Sequence, residues 1–393
     1  MGEADENMLV KGDNLAVMRA LLPTFAGRFR VAYLDPPFNT GRTFAEYKDS
    51  RPREAWLDMM RVRLAMVREL LSGDGALFVE IDDTELGPLQ VLVDELFGAH
   101  SRVSTVTLVR SAATGHKAGN RGPVNVTDFL LVYARDRRRF APTPVLRPRA
   151  GLDPAYRTFL ENPGEPPETW RFSPLARAVA RALGFGGAVE ARRGLGDDAL
   201  LRETTSFCLA RPRQIVRFAQ PRFEAISRAA QALVLASREE PSRVLCLERP
   251  GRPPLFLRGG NRILFLASKV RELSGKATLV EPLTNVWDDL PFQGIAKEGE
   301  VTFSRNKKPE RLLERILTMA SEPGDWVLDP FLGSGTAAAV AHTMGRRWVG
   351  IEAGEHFDTL CVPRLRRVVA GEDRTGIRRT QGFEGGGGFG VYR

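Results

Sequence analysis

Short apolar runs alternate with helix-length amphipathic runs at both ends of this chain, and between residues 135 and 290 the alternation stops. Strands separated by helices fold most simply into a parallel sheet, because each parallel crossover needs a connection long enough to hold a helix. In the first stretch, Val31–Leu34 reads as a buried strand ended by Asp35-Pro36-Pro37. Trp56, Met60, Leu64, Val67 and Leu71 recur at helical spacing, so residues 56–71 read as a helix. Gly73-Asp74-Gly75 reads as its stop, residues 76–81 as the next strand, residues 84–97 as a helix stopped at Gly98, and residues 129–133 as a further strand. The rhythm returns with a helix over 309–320, a strand over 326–328, a helix over 336–344 and a strand over 348–351. The expectation is an α/β sheet with helices on both faces, assembled from residues 8–138 and 286–370. A separate domain over 139–285 interrupts it, and a flexible, glycine-rich tail follows over 371–393.

Charge separates the middle from the ends. The net charge is +9. Residues 135–275 contain 26 Lys+Arg and 14 Asp+Glu, a net of 26 − 14 = +12, which leaves 9 − 12 = −3 for the rest. The basic excess is almost all arginine, the composition of a segment that meets a polyanion. Three scattered cysteines and four dispersed histidines give neither a disulfide framework nor a metal-ligand spacing. A reduced, cytoplasmic protein with no structural metal is expected. No apolar run is long enough to span a bilayer, and the acidic N-terminus is not a signal peptide.

Two motifs carry chemistry. Asp329-Pro330-Phe331-Leu332-Gly333-Ser334-Gly335-Thr336 joins an expected strand to an expected helix. Small residues there admit a ligand close to the backbone, and the helix offers its first amides. Sixteen residues after Thr336 the next strand ends at Glu352, placed to accept from ribose hydroxyls. The unit suits a nucleoside cofactor. It is neither a phosphate loop nor the three-glycine dinucleotide fingerprint. The other motif, Asp35-Pro36-Pro37-Phe38, also ends a strand. Its prolines lack amide donors, so carbonyls and the Asp35 carboxylate face out as acceptors beside an aromatic ring. Acceptors with a stacking surface suit a planar amino group. A capped turn with a core phenylalanine is the bland alternative.

Taken together, these motifs resemble the β-class amino-methyltransferases of DNA, with the catalytic motif before the cofactor motif. Lys11-Gly12-Asp13-Asn14-Leu15, Asp35-Pro36-Pro37-Phe38-Asn39-Thr40-Gly41, Ile81-Asp82-Asp83-Thr84-Glu85 and Lys307-Lys308-Pro309-Glu310-Arg311-Leu312-Leu313 are similar to modification subunits of type III restriction systems. The resemblance covers roughly residues 8–135 and 285–365. It implies a Rossmann-like, circularly permuted methyltransferase sheet, with the arginine-rich middle as target-recognition domain. It also implies S-adenosyl-L-methionine as cofactor, held by Asp329, Phe331, Gly333, Ser334, Gly335 and Thr336, with Glu352 on the ribose. On the same resemblance Asp13 is expected near the cofactor adenine, Lys308 and Pro309 near its methionine end, and Asp35, Pro36, Pro37 and Phe38 on the target base. Phe38 stands where tyrosine is commoner, and the chain is shorter than such subunits usually are.

The implied reaction is methylation of the exocyclic N6 of adenine in duplex DNA, on a base flipped out of the stack. Cytosine N4 is the second reading, since family analogy alone separates the two. RNA or a protein amide as substrate, and a non-catalytic DNA-binding protein, are further readings. No cysteine follows a proline, which argues against cytosine C5 chemistry. Implied partners are double-stranded DNA, a second copy of the chain and a restriction subunit, at the nucleoid. Residues 42–53, with Arg42, Lys48, Arg51 and Arg53, and residues 111–125, with His116, Lys117 and Arg121, are candidate DNA-contacting loops.

Overall fold

The computed structural model describes residues 6–43, 48–112, 122–273, 275–301 and 307–393. The chain divides into two compact units, 1–145 with 283–393, and 146–282. The expected divisions fall at 138/139 and 285/286.

The first unit is mixed α/β around a nine-stranded sheet. Its elements, labelled in chain order, are β1 (Asn7–Lys11), α1 (Asn14–Phe25), β2 (Phe29–Leu34), α2 (Arg53–Leu70), β3 (Leu71–Ile81), α3 (Leu86–Phe97), β4 (Arg102–Val109), β5 (Thr127–Ala134), β6 (Val286–Trp287), α4 (Glu310–Ala320), β7 (Trp326–Asp329), α5 (Thr336–Thr343), β8 (Arg347–Glu352), α6 (Val362–Ala370) and β9 (Phe389–Tyr392). The strand order is β6-β4-β5-β3-β2-β7-β8-β1-β9. β5 is antiparallel to β3 and β4, and the other pairings are parallel.

Strand alternation builds two cores. On β2, Val31 and Tyr33 face one way, toward Leu312, Leu313 and Ile316 of α4 and Val340 of α5. Ala32 and Leu34 face the other way, toward Met18 of α1, Met60 and Leu64 of α2 and Leu92 of α3. Helices therefore cover both faces, and the central strands are apolar on both sides.

Two expectations are corrected. Gly73-Asp74-Gly75 does not end α2 but lies within β3. Leu71 pairs with Phe29 and Ala76 with Val31, so the register slips across the glycines. A Cβ on Gly75 would lie 2.7 Å from the Phe29 carbonyl oxygen, which explains glycine there. The expected flexible tail instead supplies β9, parallel to β1 at the sheet edge. Phe389 packs on Trp348 with ring centres 5.5 Å apart, and Asn7 Nδ2 donates to the Gly388 carbonyl at 3.0 Å. The glycine run hid this strand, because four glycines carry no apolar period.

The second unit is built on antiparallel sheets. One has six strands in the order 172–174, 158–160, 215–219, 261–265, 252–258 and 244–249. A three-stranded sheet joins 270–273, 276–282 and 146–148. Helices Leu175–Ala182, Asp197–Ala210 and Arg228–Glu239 supply its apolar clusters together with the strands.

A buried ion pair ties the glycine-rich loop of the first unit to α6. Arg364, fully buried, lies 2.8 Å from Glu310 and donates to the Ser334 carbonyl and the Thr336 hydroxyl, each at 2.9 Å. Glu310 also accepts from the Ile377 amide at 3.0 Å. Removing one partner leaves the other charge buried and alone. Arg364→Met is therefore expected to lower unfolding free energy by about 3–5 kcal/mol, measured by urea denaturation.

Candidate active site

The sheet order brings the motifs together. β2, β7, β8 and β1 are neighbours, and their carboxyl ends carry Asp35, Asp329, Glu352 and Asp13 in turn. Open α/β sheets bind ligands at such ends. A cavity of about 370 Å³ opens there, lined among others by Asp35, Pro37, Lys308, Asp329, Phe331, Gly333, Ser334, Thr336 and Glu352. A smaller hollow of about 210 Å³, with Asp13 and Arg63 in its wall, shares Pro37, Phe331 and Glu352 with it.

The glycine-rich loop is fixed from below. Asp329 accepts from the Phe331 amide at 3.0 Å. Burial pushes the Asp329 carboxyl well above the usual range. Gly333 adopts φ +54°, and Gly335 caps α5 at φ +82°. Ser334 and Thr336 hydroxyls lie 3.1 Å apart. Glu352 accepts from the Gly333 and Gly354 amides, each at 2.8 Å, and lies 3.4 Å from His356. Burial opposes its charge, but His356 and those amides outweigh burial and hold the carboxyl below its ordinary value. An ionised acceptor at the cavity wall, beside a glycine whose missing side chain leaves open space, fits a nucleoside-bearing ligand.

Asp13 does two things. It caps α1, accepting from the Ala16 amide at 3.0 Å, and pairs with Arg63 at 2.9 Å. Arg63 also holds Asn14 at 2.6 Å, and Asn14 donates to the Pro330 carbonyl at 2.7 Å. Pro309 caps α4 and, like Gly335, is not among the cavity-lining residues.

The Asp-Pro-Pro-Phe turn is held by groups the sequence reading missed. Trp56 Nε1 donates to the Pro37 carbonyl at 2.7 Å from a buried position on α2. Asn39, at φ +60°, donates to the buried Glu85 at 2.9 Å, and Arg53 lies 2.8 Å from that same carboxylate. Periodicity marked Trp56 only as core. Arg53 is thus engaged in holding the turn. The side chains of Arg42 and Lys48, and residues His116, Lys117 and Arg121, lie outside the described residues. Lys308, expected at the methionine end of the cofactor, lies 2.9 Å from Asp35 Oδ1 and 4.8 Å from the Phe38 ring centre. Burial pushes the Asp35 carboxyl up to about 7, Lys308 opposing and Glu80 adding to the rise.

A mainly parallel α/β sheet that brings a glycine-rich loop, an acidic strand end and an Asp-Pro-Pro-Phe turn together is the arrangement expected of an amino-methyltransferase class of site. Residues 29–361 match the N6/N4 methyltransferase family model, described as DNA methylase, and the chain belongs to that family of S-adenosyl-L-methionine-dependent enzymes. It is 29% identical over 427 residues to the "Probable type III restriction-modification enzyme HindVI Mod subunit" of Haemophilus influenzae, covering 100% of this chain and 54% of that protein. It is 23% identical to the type II methyltransferase M.EcaI of Enterobacter cloacae, covering 88% of this chain and 66% of that one. The chain spans about half the length of the type III relatives. A putative DNA modification methylase of Thermus thermophilus, solved with S-adenosyl-L-methionine, aligns over 93% of this chain and 97% of its own at 15% identity and a TM-score of 0.44.

Gly333→Leu strains a left-handed backbone position and fills the cavity. Calorimetry is expected to show S-adenosylmethionine binding weakened by at least about a hundredfold, roughly 2.7 kcal/mol, with the fold retained.

Proposed function

We propose that this chain methylates the N6 amino group of adenine in duplex DNA, acting on a base flipped out of the helix. The observation that carries the reading is one cavity whose wall holds Asp35 and Pro37 of the turn, though not Pro36 or Phe38, together with Gly333 and Glu352 of the cofactor-type cradle. The sheet is read as the Rossmann-like methyltransferase sheet in circularly permuted order. In support, β2 precedes β7 and β8 in the chain yet lies beside β7.

Gly333, Ser334, Thr336 and Phe331 would hold the cofactor, with Glu352 on its ribose and Asp13 toward its adenine. S-adenosylmethionine supplies an electrophilic methyl group when bound. The protein prepares the nitrogen. An exocyclic amine is a poor nucleophile because its lone pair is delocalised into the ring. Asp35 and the Pro36 carbonyl accept the two amino hydrogens and favour a pyramidal nitrogen with a localised lone pair. The Pro37 carbonyl is already engaged by Trp56, which leaves Pro36 as the carbonyl this reading assigns to the second hydrogen. Phe38 stacks on the base. As nitrogen gains positive charge, the preorganised Asp35 carboxylate stabilises it without solvent rearrangement, and the surplus proton then leaves the amino nitrogen for solvent.

Residues 146–282 are read as the target-recognition domain, on the strength of their arginine content. Each phosphate contact should contribute about −0.9 to the log–log salt slope, so duplex affinity should fall steeply between low and physiological salt in filter binding. A homodimer and a restriction subunit complete the proposal. The support for the latter is that relatives along the whole chain are named as type III modification subunits.

The test is methylation of unmethylated plasmid DNA followed by nucleoside mass spectrometry. N6-methyladenine is the expected product, and N4-methylcytosine would reassign the base while keeping the site. Asp35→Ala should fold and bind duplex but lose about 10²–10³ or more in rate. Full activity in that variant would overturn the reading. Phe38→Ala should be milder, a loss of about 1–3 kcal/mol of stacking, and Phe38→Tyr should retain activity.

A further inference from the structure

Behind Asp35 lies a buried charge cluster that the reaction as described leaves unused. Lys308 Nζ stands 2.9 Å from Asp35 Oδ1 and 2.9 Å from Glu80 Oε1. Glu80, on β3, is fully buried, and its other oxygen accepts the Tyr33 hydroxyl of β2 at 2.8 Å. Asp128 on β5, also fully buried, lies 2.7 Å from Arg110, just beyond β4. Asp329 ends β7 on the far side of Asp35. With all groups charged, Asp35, Glu80 and Asp128 against Lys308 and Arg110 give 2 − 3 = −1.

Asp35 and Lys308 line the cavity, and Glu80 does not. Glu80 therefore acts on the cavity through the two side chains it holds, Lys308 and Tyr33, both of which line it. Its position matters for a simple reason. A lysine paired with Asp35 alone would satisfy the carboxylate and compete with an incoming amino group. With no lysine, two carboxylates in one dry site could not both stay ionised. One ammonium shared between two acids avoids both outcomes.

We propose that Glu80 is a positioning residue for methyl transfer: it draws the Lys308 ammonium between itself and Asp35, so that the lysine keeps Asp35 ionised in a dry cavity without tying up the oxygen that accepts the target amino group. This rests on the reading of Asp35 as that acceptor. Tyr33 belongs to the same device, because its hydroxyl fixes the oxygen of Glu80 that faces away from the lysine. The sequence held no sign of it, since Glu80 sits inside an apolar strand and Lys308 is 228 positions further along the chain.

The signs follow from the charges. Activity requires ionised Asp35, so it falls as pH drops through the Asp35 pKa. Glu80→Gln keeps shape and removes a negative neighbour, so the acid limb moves to lower pH. The lysine then pairs with Asp35 alone, and the plateau rate drops about tenfold, the equivalent of one pKa unit of interaction. Lys308→Met moves the limb to higher pH by about 1 unit or more. The double variant lies between the singles, a non-additivity expected of coupled charges. Tyr33→Phe leaves Glu80 only the lysine, draws it away from Asp35 and shifts the limb upward.

The experiment is single-turnover transfer of tritiated methyl from S-adenosylmethionine to unmethylated plasmid DNA across about pH 5.5–9. It uses the full chain, the four variants above and Asp35→Ala, with cofactor affinity by calorimetry. Opposed limb shifts in Glu80→Gln and Lys308→Met, with cofactor affinity within about twofold in Glu80→Gln, support the proposal. Glu80→Gln and Tyr33→Phe profiles that superimpose on wild type while Asp35→Ala is inactive overturn it. So does a Glu80→Gln defect confined to cofactor affinity. Should Glu80→Gln not fold, the Tyr33→Phe profile decides. Activity in Asp35→Ala would instead remove the acceptor reading beneath it.

Discussion

The adjacency of four parallel strands governs the rest of this molecule. β2, β7, β8 and β1 come from two distant parts of the chain, 7–34 and 326–352, and backbone hydrogen bonding holds their carboxyl ends side by side. Each strand is buried on both faces, so its register is set by apolar packing from above and below. A one-residue slip would turn every core side chain to the opposite face. The side chains at the strand ends inherit that rigidity, so Asp35 and Glu352 can share a cavity although 317 positions separate them in the chain.

Two buried ion clusters bracket the cavity. One joins Arg364 to Glu310 and the glycine-rich loop; the other joins Lys308 to Asp35 and Glu80. Buried ions are expensive, and apolar residues of similar volume often serve stability equally well. The expense is easier to understand where geometry matters. The first cluster fixes backbone carbonyl and hydroxyl groups of the loop. The second fixes the charge and direction of one carboxylate. Between them they draw on Glu310 and Lys308, so that short stretch at the start of α4 links the two halves of the site.

The inserted unit obeys different physics. Its strands are short and antiparallel, and its apolar clusters are small. Arginines there often lie against aromatic rings, as Arg258 does over Phe172 at 5.0 Å and Arg211 over Phe207 at 4.5 Å. Such packing holds a guanidinium without neutralising it, which keeps positive charge available at the surface.

The sequence by itself determined the alternation of strands and helices in 8–134 and 309–352, the two strand-terminating motifs, and the basic middle. These depend on local spacing: helical and strand periods, prolines and glycines at turns, and arginine density. Local spacing also misled. It placed a stop at Gly73–Gly75, where the chain is a bulged strand, and a loose end at 371–393, where β9 forms. Gly73–Gly75 has no apolar period and β9 is only four residues long behind a glycine run, and each exists because a neighbouring strand edge accepts it. Only the tertiary structure decided that Lys308 stands against Asp35, that Glu80 anchors it, and that Trp56 and Glu85 hold the Asp-Pro-Pro-Phe turn. Those contacts join residues 19 to 273 positions apart, and a buried polar group takes the partner that the packed strands bring within reach.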